Sequence, residues 1–187
     1  MDIVLASASP RRKQLLRQIF ASFRTCPTHC EESPSGRPST AVMRIASDKA
    51  DAYVGSYDVL ISADTVVYDG KIIGKPRDED DAFGLLKRLC GKKHYVYTGV
   101  CIKAADKKVL FYEKSTIKIK KMSDIEIRDY IRDFRPLDKA GAYGIQDGVA
   151  EWYRGSYSNI MGLPLERLRE ELESLKITEH NAVPCTE

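Results

Sequence analysis

Val59-Leu60-Ile61-Ser62-Ala63-Asp64-Thr65-Val66-Val67-Tyr68-Asp69-Gly70-Lys71-Ile72-Ile73 decides the fold class. Val59-Leu60-Ile61 is an apolar, β-branched run of the kind that fills a buried strand, and that strand is read as ending at Ala63-Asp64. Val66-Val67-Tyr68 and Lys71-Ile72-Ile73 then flank Asp69-Gly70, the dipeptide of a tight primed hairpin turn. A buried strand needs cover on both faces, and a hairpin needs antiparallel pairing. Together they predict a mixed sheet rather than a purely parallel one.

Helical patterns flank this stretch. Upstream, Ile3 to Ala6 reads as a short opening strand. Ser9-Pro10 then supplies an N-cap and a proline at the first helical position, for a helix over residues 10–21 with Leu15, Leu16, Ile19 and Phe20 on one face. A second helix is predicted over 39–53, with Val42, Ile45, Ala46 and Ala50 facing inward. Downstream, Asp78 to Asp81 gives an acidic first turn to a helix carrying Leu85, Leu86 and Leu89 that stops before Gly91.

Tyr95 to Ala104 and Val109 to Ile119 alternate as two long strands joined around Asp106-Lys107. Ser123 and Glu126 have the spacing of a capping box for a helix ending near Phe134. Residues 141–164 are rich in Gly and Tyr, and helical character returns over 165–175. The expectation is an α/β fold: a mixed, twisted sheet flanked by helices. One domain is expected over residues 1–176, with a flexible tail over 177–187.

Composition narrows the function. The chain has 187 residues, 43% of them hydrophobic and 30% charged, with a formal net charge of +3. That excludes a disordered chain and argues against a dedicated nucleic-acid binder, which would carry a basic face. No apolar run approaches the ~18 residues of a membrane span. Met1 to Leu5 is too short and too acidic for a signal peptide, so a cytoplasmic location is expected. Cys26, Cys30, Cys90, Cys101 and Cys185 are scattered, as in a protein with reduced thiols. Cys26, His29 and Cys30 lack a second ligand pair for structural zinc.

Three stretches carry residues with chemical potential. In Leu5-Ala6-Ser7-Ala8-Ser9-Pro10-Arg11-Arg12 a strand runs into a helix N-terminus, where backbone N–H groups converge and two arginines add fixed cations. A capped helix with two solvated arginines would use the same residues. The stretch has no Gly-x-x-x-x-Gly-Lys, so it is not a P-loop. In Ser62-Ala63-Asp64-Thr65 a carboxylate at a strand end could hold a hard cation or take a proton from water, or merely cap a turn. Gly74-Lys75-Pro76 could aim Lys75 back at it. In Asp138-Lys139-Ala140-Gly141-Ala142-Tyr143-Gly144-Ile145-Gln146, small residues permit close approach to the backbone, with Lys139 and Gln146 available to phosphate and base. A glycine-rich structural loop has the same composition.

These stretches, with Glu31-Glu32, Lys49, Thr98-Gly99-Val100 and Met161-Gly162-Leu163-Pro164, occur in one order from Leu5 to Pro164. In that order they resemble the Maf family of nucleoside triphosphate pyrophosphatases. The resemblance implies a two-lobed α/β structure of the Maf and ITPase kind around a central cleft. It implies hydrolysis of a nucleoside triphosphate to the monophosphate and pyrophosphate with a divalent cation, Mg²⁺ or Mn²⁺. Asp64 is then similar to the family's proton acceptor or metal carboxylate, and Glu32 to its metal ligand. Arg11, Arg12, Lys49 and Lys75 resemble its triphosphate contacts, with Ser7 and Lys139 beside them as substrate-binding residues.

Arg11, Thr65 and Gln146 together resemble the branch that acts on dTTP and UTP. A glutamine amide can pair with both N3–H and O4 of uracil or thymine, and a flipped amide can pair with cytosine. House-cleaning of non-standard nucleotides, a link to division arrest and a homodimer are further properties the resemblance implies. Two other classes compete: a nucleotidyltransferase, whose loop would normally be glycine-rich, and a non-enzymatic regulatory or nucleic-acid-binding protein, whose binding would be strongly salt-dependent.

Overall fold

The computed structural model of the chain describes residues 1–28, 30 and 33–177. In chain order its elements are β1 (Ile3–Leu5), α1 (Pro10–Leu16), β2 (Arg24–Thr25), α2 (Pro38–Asp51), β3 (Val59–Tyr68), β4 (Ile72–Ile73) and α3 (Glu79–Leu89). Then come β5 (Lys93–Ala104), β6 (Lys107–Ile119), α4 (Asp124–Phe134), three short 3-10 turns, β7 (Ala150–Arg154), α5 (Tyr157–Met161) and α6 (Leu165–Ser174). The strands form one mixed sheet in the order β2-β1-β3-β5-β6-β7, with β4 added to β3. β1 pairs in parallel with β2 and β3, and every other pairing is antiparallel.

The buried strand does not stop at Ala63-Asp64. β5 pairs with all ten of its residues, from Val59 opposite Ala104 to Tyr68 opposite Tyr95. Ser62 and Asp64 resemble a strand end in sequence because they are polar, but each finds a partner on α2. The Ser62 hydroxyl donates to the Ala46 carbonyl at 2.5 Å, and Asp64 accepts from Lys49. Asp64 therefore stands inside β3.

β5 fills one edge of β3 completely, so β1 and β4 share the other. β1 pairs there only with Val59 to Ile61, and β4 only with Val67 and Tyr68. Between them, Ser62 to Val66 have no strand neighbour on that edge. The hairpin to β4 closes over three residues, 69–71, because Tyr68 pairs with Ile72. Gly70 takes the left-handed φ of +73° that such a loop needs, which a two-residue primed turn would not match in length.

One face of the sheet is covered by α2, whose Ala46 and Ala50 pack on Val4, Ala6, Leu60 and Cys101. The helix comes unusually close at Gly99, where an added Cβ would lie 2.4 Å from the Val42 carbonyl carbon and 2.6 Å from Met43 N. The opposite face carries two clusters. In one, Leu15 and Leu16 of α1 and Leu168 and Leu172 of α6 pack on Ile61, Val100 and Ile102. In the other, Leu86 and Leu89 of α3 and Ile127 and Ile131 of α4 pack on Val67, Val96, Ile117 and Ile119. β3 feeds both clusters, and Met161 of α5 touches both.

The capping box forms as its spacing predicts: the Ser123 hydroxyl accepts from Glu126 N, and Ser123 N donates to the Glu126 carboxylate. α1 is shorter than expected, yet Ile19 and Phe20 stay buried in the turns that follow it. β2, β7 and α5 are absent from the sequence reading. Both strands are short, and β2 and most of β7 are exposed, so no buried alternation marks them. Among the described residues no helix is long and apolar enough to cross a membrane.

Candidate active site

The unpaired stretch of the β3 edge opens into a cavity of about 630 Å³. Ser7, Arg11, Arg12, Lys49, Asp64, Thr65, Lys75, Lys139 and Gln146 all line it. Glu32 and His29 lie outside the described residues. The described lining includes five basic side chains and two acidic ones, Asp64 and Asp138, so the wall favours a polyanion.

Lys49 and Asp64 are brought together by the close seating of α2. Lys49 Nζ donates to Asp64 Oδ1 at 2.7 Å, with both residues 7% exposed. Gly99 is the cross-strand partner of Asp64 and lies under the α2 backbone. A side chain there would lift the helix, and Lys49 with it. Asp64 Oδ2 makes no hydrogen bond to the described residues and stays available to a ligand in the cavity.

Arg12 lines the cavity and is also bonded to the protein around it. Its Nε donates to the Gly162 carbonyl at 2.8 Å, one terminal nitrogen donates to the Ala63 carbonyl at 2.8 Å, and the other donates to Thr65 Oγ1 at 3.1 Å. It also reaches Ser7 Oγ at 3.4 Å. Arg12 thus fills the bare edge of β3 and ties it to the loop after β1 and to the end of α5. The guanidinium is held rigidly at the cavity wall.

Thr65 continues the same chain of hydrogen bonds. Its hydroxyl lies 3.0 Å from that of Thr98, which donates to the Asn159 carbonyl at 3.0 Å. With Arg12 donating to it, Thr65 passes its proton toward Thr98, so its hydroxyl is committed inside the protein.

Arg11 and Lys139 are held by Asp138, at 2.8 and 2.9 Å respectively. Burial alone would raise the Asp138 carboxyl, but the hydrogen bonds from Lys139 and Arg11 outweigh it and keep the group below the usual carboxylate range. The loop bearing Lys75 is tied to the same region, because Gly141 N donates to the Gly74 carbonyl at 2.9 Å.

Tyr143, part of this wall, is fixed from behind by His94: the Tyr143 hydroxyl and His94 Nε2 are 2.8 Å apart, with the rings edge to face. Desolvation pulls the His94 imidazole down to about 4, so it is neutral at ordinary pH. Asp138 and Gly99 stand inside the quoted stretches without a role of their own, and His94 lies outside them. Only Gly99 carried a local signal, as a lone glycine within a strand pattern.

A family model described as Maf-like protein matches residues 2–175. The chain belongs to the Maf-like family. Among its relatives, a protein of Agathobacter rectalis is 43% identical over 94% of this chain and 98% of its own length. One of Thermosipho melanesiensis is 43% identical over 95% of this chain and all of its own length. One of Thermococcus gammatolerans is 42% identical over 90% and 95%. Each of the three is named dTTP/UTP pyrophosphatase. The family match spans the buried residues of all three core clusters of this Maf-like protein and the described cavity lining from Ala6 to Gly162.

Proposed function

We propose that this Maf-like protein hydrolyses dTTP and UTP to the nucleoside monophosphate and pyrophosphate, using a divalent cation. The observation that carries the reading is the buried Asp64, held by Lys49 and facing a cavity whose described lining carries more than twice as many bases as acids. The names of the relatives supply the reaction and the base.

In this reading Arg11, Lys75 and Lys139 bind the triphosphate, while Arg12 and Ser7 shape the wall that receives it. Lys49 fixes the orientation of Asp64 through Oδ1, which leaves Oδ2 to accept a proton from the attacking water or to ligate a cation. No group of three or more metal-ligating side chains occurs among the described residues. Mg²⁺ fits such a donor set, since it keeps several waters and takes one or two carboxylates beside substrate phosphates. Asp64 and Glu32 would hold it, and it would neutralise charge on the phosphoryl oxygens. Gln146 reads the base edge. It lies on the cavity wall, exposed, with no hydrogen bond from its side chain to the described residues.

The test is a panel of nucleoside triphosphates assayed with Mg²⁺ or Mn²⁺, with the products resolved. dTTP and UTP should exceed ATP and GTP in kcat/KM by at least about tenfold, because one bidentate base contact is worth roughly 1–3 kcal/mol. Release of inorganic phosphate in place of pyrophosphate would exclude the reaction. Equal rates for UTP and GTP would remove only the base assignment.

A further inference from the structure

Gln146 sits on a turn that a residue of another element clamps from both sides. The Tyr130 hydroxyl, from α4, accepts from Gly144 N at 3.0 Å and donates to the Asp147 carboxylate at 2.6 Å. One oxygen atom therefore joins the residues before and after the turn that carries Gln146. Tyr130 itself is fixed: it is 6% exposed, and its ring stacks on Phe134 with centroids 4.9 Å apart. Burial, reinforced by the hydrogen bond to Asp147, pushes its ionisation well up, so the hydroxyl remains a donor. Ile145, between the clamped positions, is buried at 6% exposed and anchors the middle of the turn.

Gly144 completes the clamp. A Cβ on it would lie 2.4 Å from Gln146 Nε2 and 2.7 Å from Asp147 Oδ2. Those two atoms therefore share the space above the Gly144 backbone. No hydrogen bond joins the two groups, so the selection is electrostatic: a carboxylate in that space attracts the amide's NH₂ end and repels its oxygen, which favours one of the two amide orientations. Orientation matters because a carboxamide pairs with the N3–H and O4 of uracil one way round, and with the N3 and N4 amino group of cytosine the other way.

We propose that Tyr130 and Asp147 are positioning residues for base discrimination, holding the Gln146 amide in the orientation that accepts uracil or thymine and rejects cytosine. The inference rests on the base-reading role given to Gln146 above. Tyr130 does not line the cavity, so it acts through the turn rather than on the substrate.

The experiment measures kcat and KM for UTP and CTP in wild type, Tyr130→Phe, Asp147→Asn and Gln146→Ala. Tyr130→Phe keeps the ring and removes the shared hydroxyl, and Asp147→Asn carries the test if that variant does not fold. The UTP-to-CTP ratio of kcat/KM should fall by about tenfold in either variant, which corresponds to the loss of one oriented contact. The loss should appear mainly as a raised KM for UTP and a lowered KM for CTP. A purely structural role would depress both substrates together and leave the ratio unchanged.

A ratio within twofold of wild type in folded Tyr130→Phe and Asp147→Asn, with Gln146→Ala lowering it, would overturn the proposal and leave the base reading standing. If Gln146→Ala also left the ratio unchanged, the base reading would fall and the proposal with it. A wild type that cleaves UTP and CTP equally would overturn it as well.

Discussion

Lys49 Nζ and Asp64 Oδ1 lie 2.7 Å apart, with each side chain less than a tenth exposed. Replacing Asp64 by Asn should therefore do two things at once. Turnover should fall by at least about 100-fold, the scale of a lost general base or metal carboxylate. Stability should fall as well, by about 1–3 kcal/mol, because Lys49 stays buried without this countercharge while Asn still accepts its hydrogen bond. Denaturant titration and initial rates on the same preparation measure both effects. A folded variant that kept a tenth of the wild-type rate would demote Asp64 to a structural role.

Gly99→Ala should damage the site from a distance. The new methyl would meet the α2 backbone at 2.4–2.6 Å, and backbone cannot swing aside as a long side chain can. Overpacking of this kind costs about 1–3 kcal/mol. Lys49 should shift with the helix, so the rate at saturating substrate should fall by more than the loss of folded protein explains. Gly84→Ala is the control, since a Cβ there meets nothing within 4 Å. In a helix interior that change should stabilise by roughly 0.5–1 kcal/mol.

His94 predicts a particular acid response. Its imidazole is pulled down to about 4 from an ordinary 6.5, so between these values the unfolded chain binds a proton that the folded one does not. Stability then rises with pH across that window, is unaffected by this group above it, and levels off below it. One such proton corresponds to about 1.4 kcal/mol per pH unit within the window. Urea midpoints at pH 7.5 and 5.0 for wild type and His94→Phe test this. The difference between the two pH values should shrink in the variant, and equal differences would assign the acid sensitivity to other groups.

Glu32→Gln should raise the Mg²⁺ concentration needed for half-maximal rate, because a neutral amide oxygen replaces a charged ligand. A chelator should abolish turnover in both proteins. An unchanged metal titration in Glu32→Gln would place the cation on other residues.

The elements legible in the sequence were those whose side chains repeat their own pattern. α3 and α4 announced themselves by acidic first turns and caps at Asp78 and Ser123, and the long β5–β6 pair by alternation. The reading of β3 broke at Ser62 and Asp64 because a polar residue in a strand looks like an exit until its partner is known. Here both partners lie on α2, 15 and 16 residues away in sequence. β2 and β7 were invisible for the opposite reason, being short edges with almost nothing buried.

The site divides along the same line. Which residues face the cavity could be listed from the motif order, but what each is bonded to could not. Nothing local to Arg12 says that its donors go to Ala63, Thr65 and Gly162, since those acceptors belong to segments 51 to 150 residues away. The Tyr130 hydroxyl is equally silent in sequence, because it lies on a helix whose pattern already accounts for it as core.

The bare edge of β3 between the β1 and β4 pairings has an implication for how the molecule fails. That edge lies at the seam of the two clusters, with Ala63 buried in one and Val67, just past it, in the other, and its carboxylate, its cations and its base-side turn are delivered separately by segments rooted on both sides. The cleft is thus a junction rather than a component: no fragment of the chain contains it. Loosening of either cluster should therefore disturb the junction, and a substitution deep under α6 should lower turnover at a site whose residues it never touches.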